Sequence, residues 1–123
     1  MKNILDYSHL FLTFPSGTKV KATVANSFFK RTRGLLFMKQ EEMPSGLLIP
    51  YCQSIHTCFM SEELHVIFLD KSFSVARTYP FLGPWKFTLP RSYYSHVLEI
   101  PVTTNPFNIL PMRGEKASIS CIS

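Results

Sequence analysis

From Gly46 onward the chain consists of short apolar runs that Pro, Gly and charged residues keep cutting off. Leu47 to Ile49, Ser54 to Met60, Leu64 to Asp70 and Phe73 to Phe81 are each of strand length. Eleven Phe, five Tyr and one Trp suit pleated, half-buried surfaces better than the faces of a helical bundle. Both signals predict a mainly β protein.

The first half begins in the same style. His9 to Phe14 and Lys19 to Ala25 are β-rich runs around Pro15-Ser-Gly-Thr18, a composition that turns a chain back on itself, so they read as an opening hairpin. Lys19 to Val24 alternates polar with apolar residues, as a strand with one wet face does, and its lysines suit a position near an edge. Asn26 or Ser27 can cap a short helix reaching about Met38, with Gly34 a weak point in it. Asp70 to Phe73 supplies a turn between two further strands, and Leu82-Gly-Pro-Trp85 a second turn. His96 to Ile100 is a strand closed by Pro101, and Lys116 to Ile122 is the last one.

The 123 residues form one domain, residues 1–123, large enough for a core without disulfide staples. Three cysteines at irregular spacing, Cys52, Cys58 and Cys121, do not make the even framework of a small secreted fold. The N-terminus has no continuous apolar core of signal-peptide length, and no stretch approaches the roughly 18 apolar residues of a membrane span. A soluble, cytoplasmic protein is expected. The formal charge of +5 is scattered, and its one dense cluster, Lys30-Arg31-Thr-Arg33, is shorter than a nucleic-acid arm or a polybasic anchor. Nucleic acid is therefore a disfavoured partner.

A set of fragments in fixed order carries more information than any one of them. Arg33-Gly-Leu-Leu36, Gly46-Leu-Leu48, Ser54-Ile-His-Thr57 with Met60, Phe68-Leu-Asp70, Val97-Leu-Glu99 and Arg113-Gly-Glu115 together resemble a small bacterial and archaeal family, domain-of-unknown-function family 192, over roughly Lys19 to Ile119. The resemblance implies a compact, barrel-like antiparallel or mixed sheet with one or two short helices, and it implies no established activity. The family pattern has an Asp between two apolar residues where this chain has His65 between Leu64 and Val66. A carboxylate is anionic at neutral pH and an imidazole need not be charged.

The side chains with chemistry lie mostly in the middle third. On a strand, alternation sends His56, Cys58 and Met60 to one face and Ile55, Thr57 and Phe59 to the other, which makes a soft nitrogen and sulfur patch. Cys52, His56 and Cys58 are the candidate metal ligands, although their spacing matches no recurrent zinc knuckle. Side chains two apart on a strand stand roughly 6 to 7 Å from each other, too far for His56 to take a proton from Cys58. Free Cys and Met are most often plain core residues, and that reading is preferred. No Gly-rich phosphate loop, nucleophile elbow or His-Glu-x-x-His helix is present.

The expectation is a non-catalytic ligand- or protein-binding module without a cofactor, with Arg33, His56, Met60, His65 and Trp85 around its groove. Its rival is a metal- or thiol-dependent enzyme, or a metal carrier, built on His56, Cys58 and Met60.

Overall fold

The computed structural model describes residues 3–27, 35, 43–104 and 110–121. Seven strands, β1 (His9–Thr13), β2 (Lys19–Val24), β3 (Leu47–Pro50), β4 (Leu64–Leu69), β5 (Val75–Leu82), β6 (His96–Pro101) and β7 (Ser118–Cys121), form one sheet in the order β5-β4-β6-β3-β2-β1-β7. Every neighbouring pair is antiparallel except β2 with β3, so the sheet is mixed. No α-helix occurs among the described residues, only the 3-10 turns Ile4–Asp6 and Val102–Thr104. The helix expected up to Met38 falls almost wholly outside those residues.

The opening hairpin forms as its sequence dictates. Gly17 takes φ 103°, and the Gly17 N–H donates to the Phe14 carbonyl at 2.8 Å, closing the turn. β3 pairs only with Thr23 and Val24 of β2, so the lysine-bearing half of the strand, Lys19 to Ala22, pairs with β1 alone. Lys19 and Lys21 lie in that half, on the solvent face of the strand. The β4–β5 turn rests on Asp70, whose Oδ1 accepts from the Ser72 and Ser74 N–H groups at 2.8 and 3.0 Å. This side-chain turn does the work of the missing Asn-Gly pair.

Strands β3, β4 and β6 are buried along their whole length, as a sheet covered on both faces requires. Leu10, Leu12, Val20, Ala22, Leu48, Ile67, Leu69 and Leu98 form one core, so the sheet coils far enough for β1 and β2 to share it with β4 and β6. On the other face Leu47, Ile49, Val66, Phe68 and Val97 make a second core with Leu35, Met60 and Tyr94. The barrel expected from the family resemblance does not close. The two edge regions meet around one isolated bridge, Ser74 with Lys116, where the Val75 N–H donates to the Glu115 carbonyl and the Gly114 N–H to the Val75 carbonyl, both at 2.8 Å, and the Ala117 N–H to the Phe73 carbonyl at 2.9 Å, but β5 and β7 themselves do not pair.

Gly46 marks the tightest approach in this frame. A Cβ there would lie 2.6 Å from Val20 Cγ1, and Val20 is buried in the first core. Gly46→Ala is expected to destabilise the protein by about 1 to 3 kcal/mol, the usual range for overpacking. A denaturant midpoint equal to that of the parent would show that Val20 has room to give way.

Candidate functional site

Beyond Pro50 and His96, the last pair of the β3–β6 ladder, the two segments continue as a pair of arms. Residues 51–60 run outward and residues 83–95 run back beside them, held at intervals. Cys52 N–H donates to the Ser95 carbonyl at 2.9 Å, Thr88 N–H to the Ile55 carbonyl at 3.0 Å, and Thr57 N–H to the Lys86 carbonyl at 2.7 Å. The strand expected over Ser54 to Met60 is therefore an irregular arm, with one isolated bridge, His56 to Phe87, and a turn at Cys58 and Phe59. Alternation consequently fails to put His56, Cys58 and Met60 on a common face.

Thr57 is the hub of the outer part of the arm. It is fully buried, its Oγ1–H donates to the Gly83 carbonyl at 2.6 Å, and its Oγ1 accepts the Lys86 N–H at 2.9 Å. Its own carbonyl accepts the Met60 and Trp85 N–H groups, both at 3.1 Å. Upon this hub the large side chains turn outward: Phe59, Trp85, Phe87 and Leu89 are all more than half exposed. The rings of Phe59 and Trp85 meet edge to face, with centroids 4.7 Å apart. Phe59, Phe81 and Trp85 have φ of 67°, 52° and 62°, a left-handed backbone that bulky residues rarely adopt.

The residues singled out by sequence divide sharply. His56 and Trp85 lie on this exposed surface, whereas Met60 and His65 are buried beneath it. His65 Nδ1 accepts the Phe81 N–H at 3.2 Å, and its ring meets that of Phe81 edge to face at 4.7 Å. The position needs an acceptor for a backbone N–H, a task an imidazole and a carboxylate both perform. Arg33, with Lys30 and Arg31, lies outside the described residues.

Cys52 donates its thiol to the Ser54 carbonyl at 3.0 Å, and Cys58 is half-buried. Burial pushes the Cys52 thiol up, with the Glu99 carboxylate adding to the shift, so it is not poised as a nucleophile. Among the described residues no three His, Cys, Asp or Glu side chains converge as metal ligands.

Nearer the sheet the arms part. Between the Cys52·Ser95 and Ile55·Thr88 contacts one arm has only Gln53 and Ser54, while the other has the longer stretch Leu89 to Tyr94, which bows outward. A cleft of about 580 Å³ opens there, lined by Tyr51, Cys52, Gln53, Ser54, Pro90, Ser92, Tyr94 and Ser95. A second cleft, of about 330 Å³, lies on the other side of Tyr51, against Asn3, Lys71, Phe73 and His96. Tyr51 divides the two with φ 55°, its N–H donating to His96 Nδ1 at 3.2 Å. Burial lowers the His96 pKa against the opposing pull of Asp70, and the ring stacks on Phe73 at 4.7 Å. The sequence reading names neither Tyr51 nor Phe87 as a site residue, and it places Phe59 only by alternation and Glu99 only as part of the Val97-Leu-Glu99 fragment. Glu99 alone carries a local signal, as a charge inside an otherwise apolar run.

Comparison with known proteins places the chain without assigning it an activity. An archaeal protein named UPF0127 from Thermococcus sibiricus is 33% identical over 86 residues, 67% of this chain and 55% of the relative. Another UPF0127 protein, from Pyrococcus horikoshii, is 35% identical over 82 residues, 63% of this chain and 70% of the relative. The chain thus matches between about half and seven-tenths of these relatives' length. The crystal structure of a protein of unknown function from Novosphingobium aromaticivorans has the same fold, with a TM-score of 0.66 at 21% identity, covering 89% of this chain and 83% of that one. The family model described as "Uncharacterized ACR, COG1430" matches residues 12–105, and the chain belongs to that family, domain-of-unknown-function family 192.

Proposed function

We propose that this chain is a non-catalytic binding module whose outer arm presents Phe59, Trp85 and Phe87 to an apolar segment of a partner protein. The observation that carries this reading is the exposure of all three rings, two of which, Phe59 and Trp85, stand on left-handed backbone beside the fully buried Thr57. A soluble surface gains nothing by displaying the paired rings of Phe59 and Trp85, and exposed apolar patches mark interaction sites. Backbone strain of this kind persists only where surrounding structure enforces it, and it gathers at functional positions. Trp is also the residue type most often dominant in interface energetics. His56 and Lys86 supply polar groups at the margin, where partners are oriented more than held.

Trp85 is the single tryptophan, so its emission reports directly on this surface. The immobilised full chain is expected to retain a host protein that blue-shifts Trp85 emission when the purified pair is mixed. Phe87→Ser is expected to weaken that complex about 30-fold, the loss typical of a hot-spot side chain, without changing the melting temperature. Retention that survives both Trp85→Ser and Phe87→Ser, or a host extract that yields no specific partner, would refute the reading.

A further inference from the structure

The cleft between the parted arms is chemically unlike the aromatic surface beyond it, and it goes beyond the function proposed above. Although the chain has a formal charge of +5, no ionised side chain lines this cleft. Its walls offer hydroxyls and an amide, and no hydrogen bond among the described residues uses the side chains of Gln53, Ser54, Ser92 or Ser95. Tyr51 stands beside them as an exposed ring. It is fixed by an edge contact to His96 at 5.3 Å and by its hydroxyl, 3.3 Å from Asn3 Oδ1. On the opposite wall Tyr94 is locked by stacking on Phe68 at 4.4 Å.

Each ligand class meets these walls differently. A phosphate or carboxylate would find no cation in the lining, and the Arg91 guanidinium, between Pro90 and Ser92, is engaged by the Pro90 carbonyl at 3.1 Å. A hydrocarbon would bury the free serine hydroxyls without partners, which is unfavourable. A sugar ring matches both features, because its C–H face lies flat on an aromatic ring and its hydroxyls donate and accept as serine and glutamine side chains do. We propose that this cleft binds a neutral saccharide, with one pyranose ring against Tyr51 and its hydroxyls on Gln53, Ser54, Ser92 and Ser95. At about 580 Å³ the cleft has the size of small-molecule sites in general and accommodates a disaccharide. The site binds and does not hydrolyse. Glycoside hydrolysis by the usual route needs two flanking carboxyl groups, and none lines the cleft. An open cleft with few polar contacts gives a dissociation constant on the order of 1 mM.

The test is an amide-resolved NMR titration of the full chain with maltose, cellobiose and lactose, and in parallel with glucuronate, glucose 6-phosphate and adenosine. The neutral sugars are expected to move the amides of residues 51–54 and 92–95 saturably in the millimolar range. Gln53→Ala, an exposed position whose side chain supports no internal hydrogen bond, is expected to weaken binding about 5-fold, the effect of one hydrogen bond. Tyr51→Ala is expected to abolish it. The proposal fails if none of the neutral sugars saturates those amides, if adenosine or the anionic sugars bind them more tightly, or if Gln53→Ala binds like the parent. Shifts confined to residues 85–88 and the Trp85 indole would place the sugar on the aromatic surface and overturn it equally.

Discussion

Glu99→Gln is expected to stabilise the protein by about 2 kcal/mol at pH 8 and to remove a fall in stability that the parent shows between about pH 4.5 and 7. Glu99 sits on β6 opposite Leu47 of β3 and Val66 of β4, only 4% exposed, on the face of the second core. Its carboxyl group accepts a backbone hydrogen bond from Leu35, but Oε1 has no partner. Burial dominates that hydrogen bond and raises the pKa from 4.5 to about 7.

The unfolded carboxyl ionises near pH 4.5 and the folded one near 7, so between these values unfolding releases a proton. Stability is greatest below the lower value, declines through the interval and levels off above the upper one. At about 1.4 kcal/mol per pH unit, the ionised carboxylate costs roughly 3 kcal/mol at pH 8. Glutamine keeps an acceptor for the Leu35 N–H but buries an amide donor that has no ready partner, which returns about 1 kcal/mol. The two stability curves should therefore cross, with the variant the less stable below pH 4.5 and melting roughly 8 °C higher at pH 8. Parallel curves from pH 4 to 8 would show that the Glu99 carboxyl does not carry this linkage.

How much of this was legible in the sequence depends on how local each interaction is. The β1–β2 hairpin and the Asp70 turn are specified by neighbours within a few residues, and both were readable. The apolar runs of β4 and β6 mark them as strands, whereas their burial along the whole length, Glu99 included, depends on what the rest of the sheet lays over both faces. Ser54 to Met60 misled for a physical reason. It is as apolar as a strand, but its bonding partners lie some thirty residues away, on an arm of different length. Pairing of this kind cannot be read from periodicity, which sees only one chain segment at a time. Trp85 was picked out by residue type, whereas the cleft comes from a mismatch in arm length that only the paired structure reveals. The same mismatch keeps the sugar cleft and the aromatic surface apart on a single pair of arms.

That pair of arms depends on one hydroxyl, and Thr57→Val is expected to cost about 2 to 4 kcal/mol, the penalty for leaving two polar groups unpaired. Valine preserves the branched shape and volume of threonine, so packing in the buried site is unchanged and the loss isolates the Oγ1 contacts. The Gly83 carbonyl loses its donor and the Lys86 N–H loses its acceptor, on the two sides of Trp85. The backbone bonds of Thr57 to Lys86 and Trp85 remain, and the arm should stay attached while the 83–86 turn loosens. Amide exchange at Lys86 is then expected to accelerate at least as much as the global loss of stability requires, and Trp85 anisotropy to fall, while amides in β4 and β6 follow global unfolding alone. Thr57→Ser restores a hydroxyl at the same position and should recover most of the loss. A Thr57→Val protein melting within 1 °C of the parent, with Lys86 still protected, would mean that water replaces the hydroxyl and that the aromatic surface is held by other contacts.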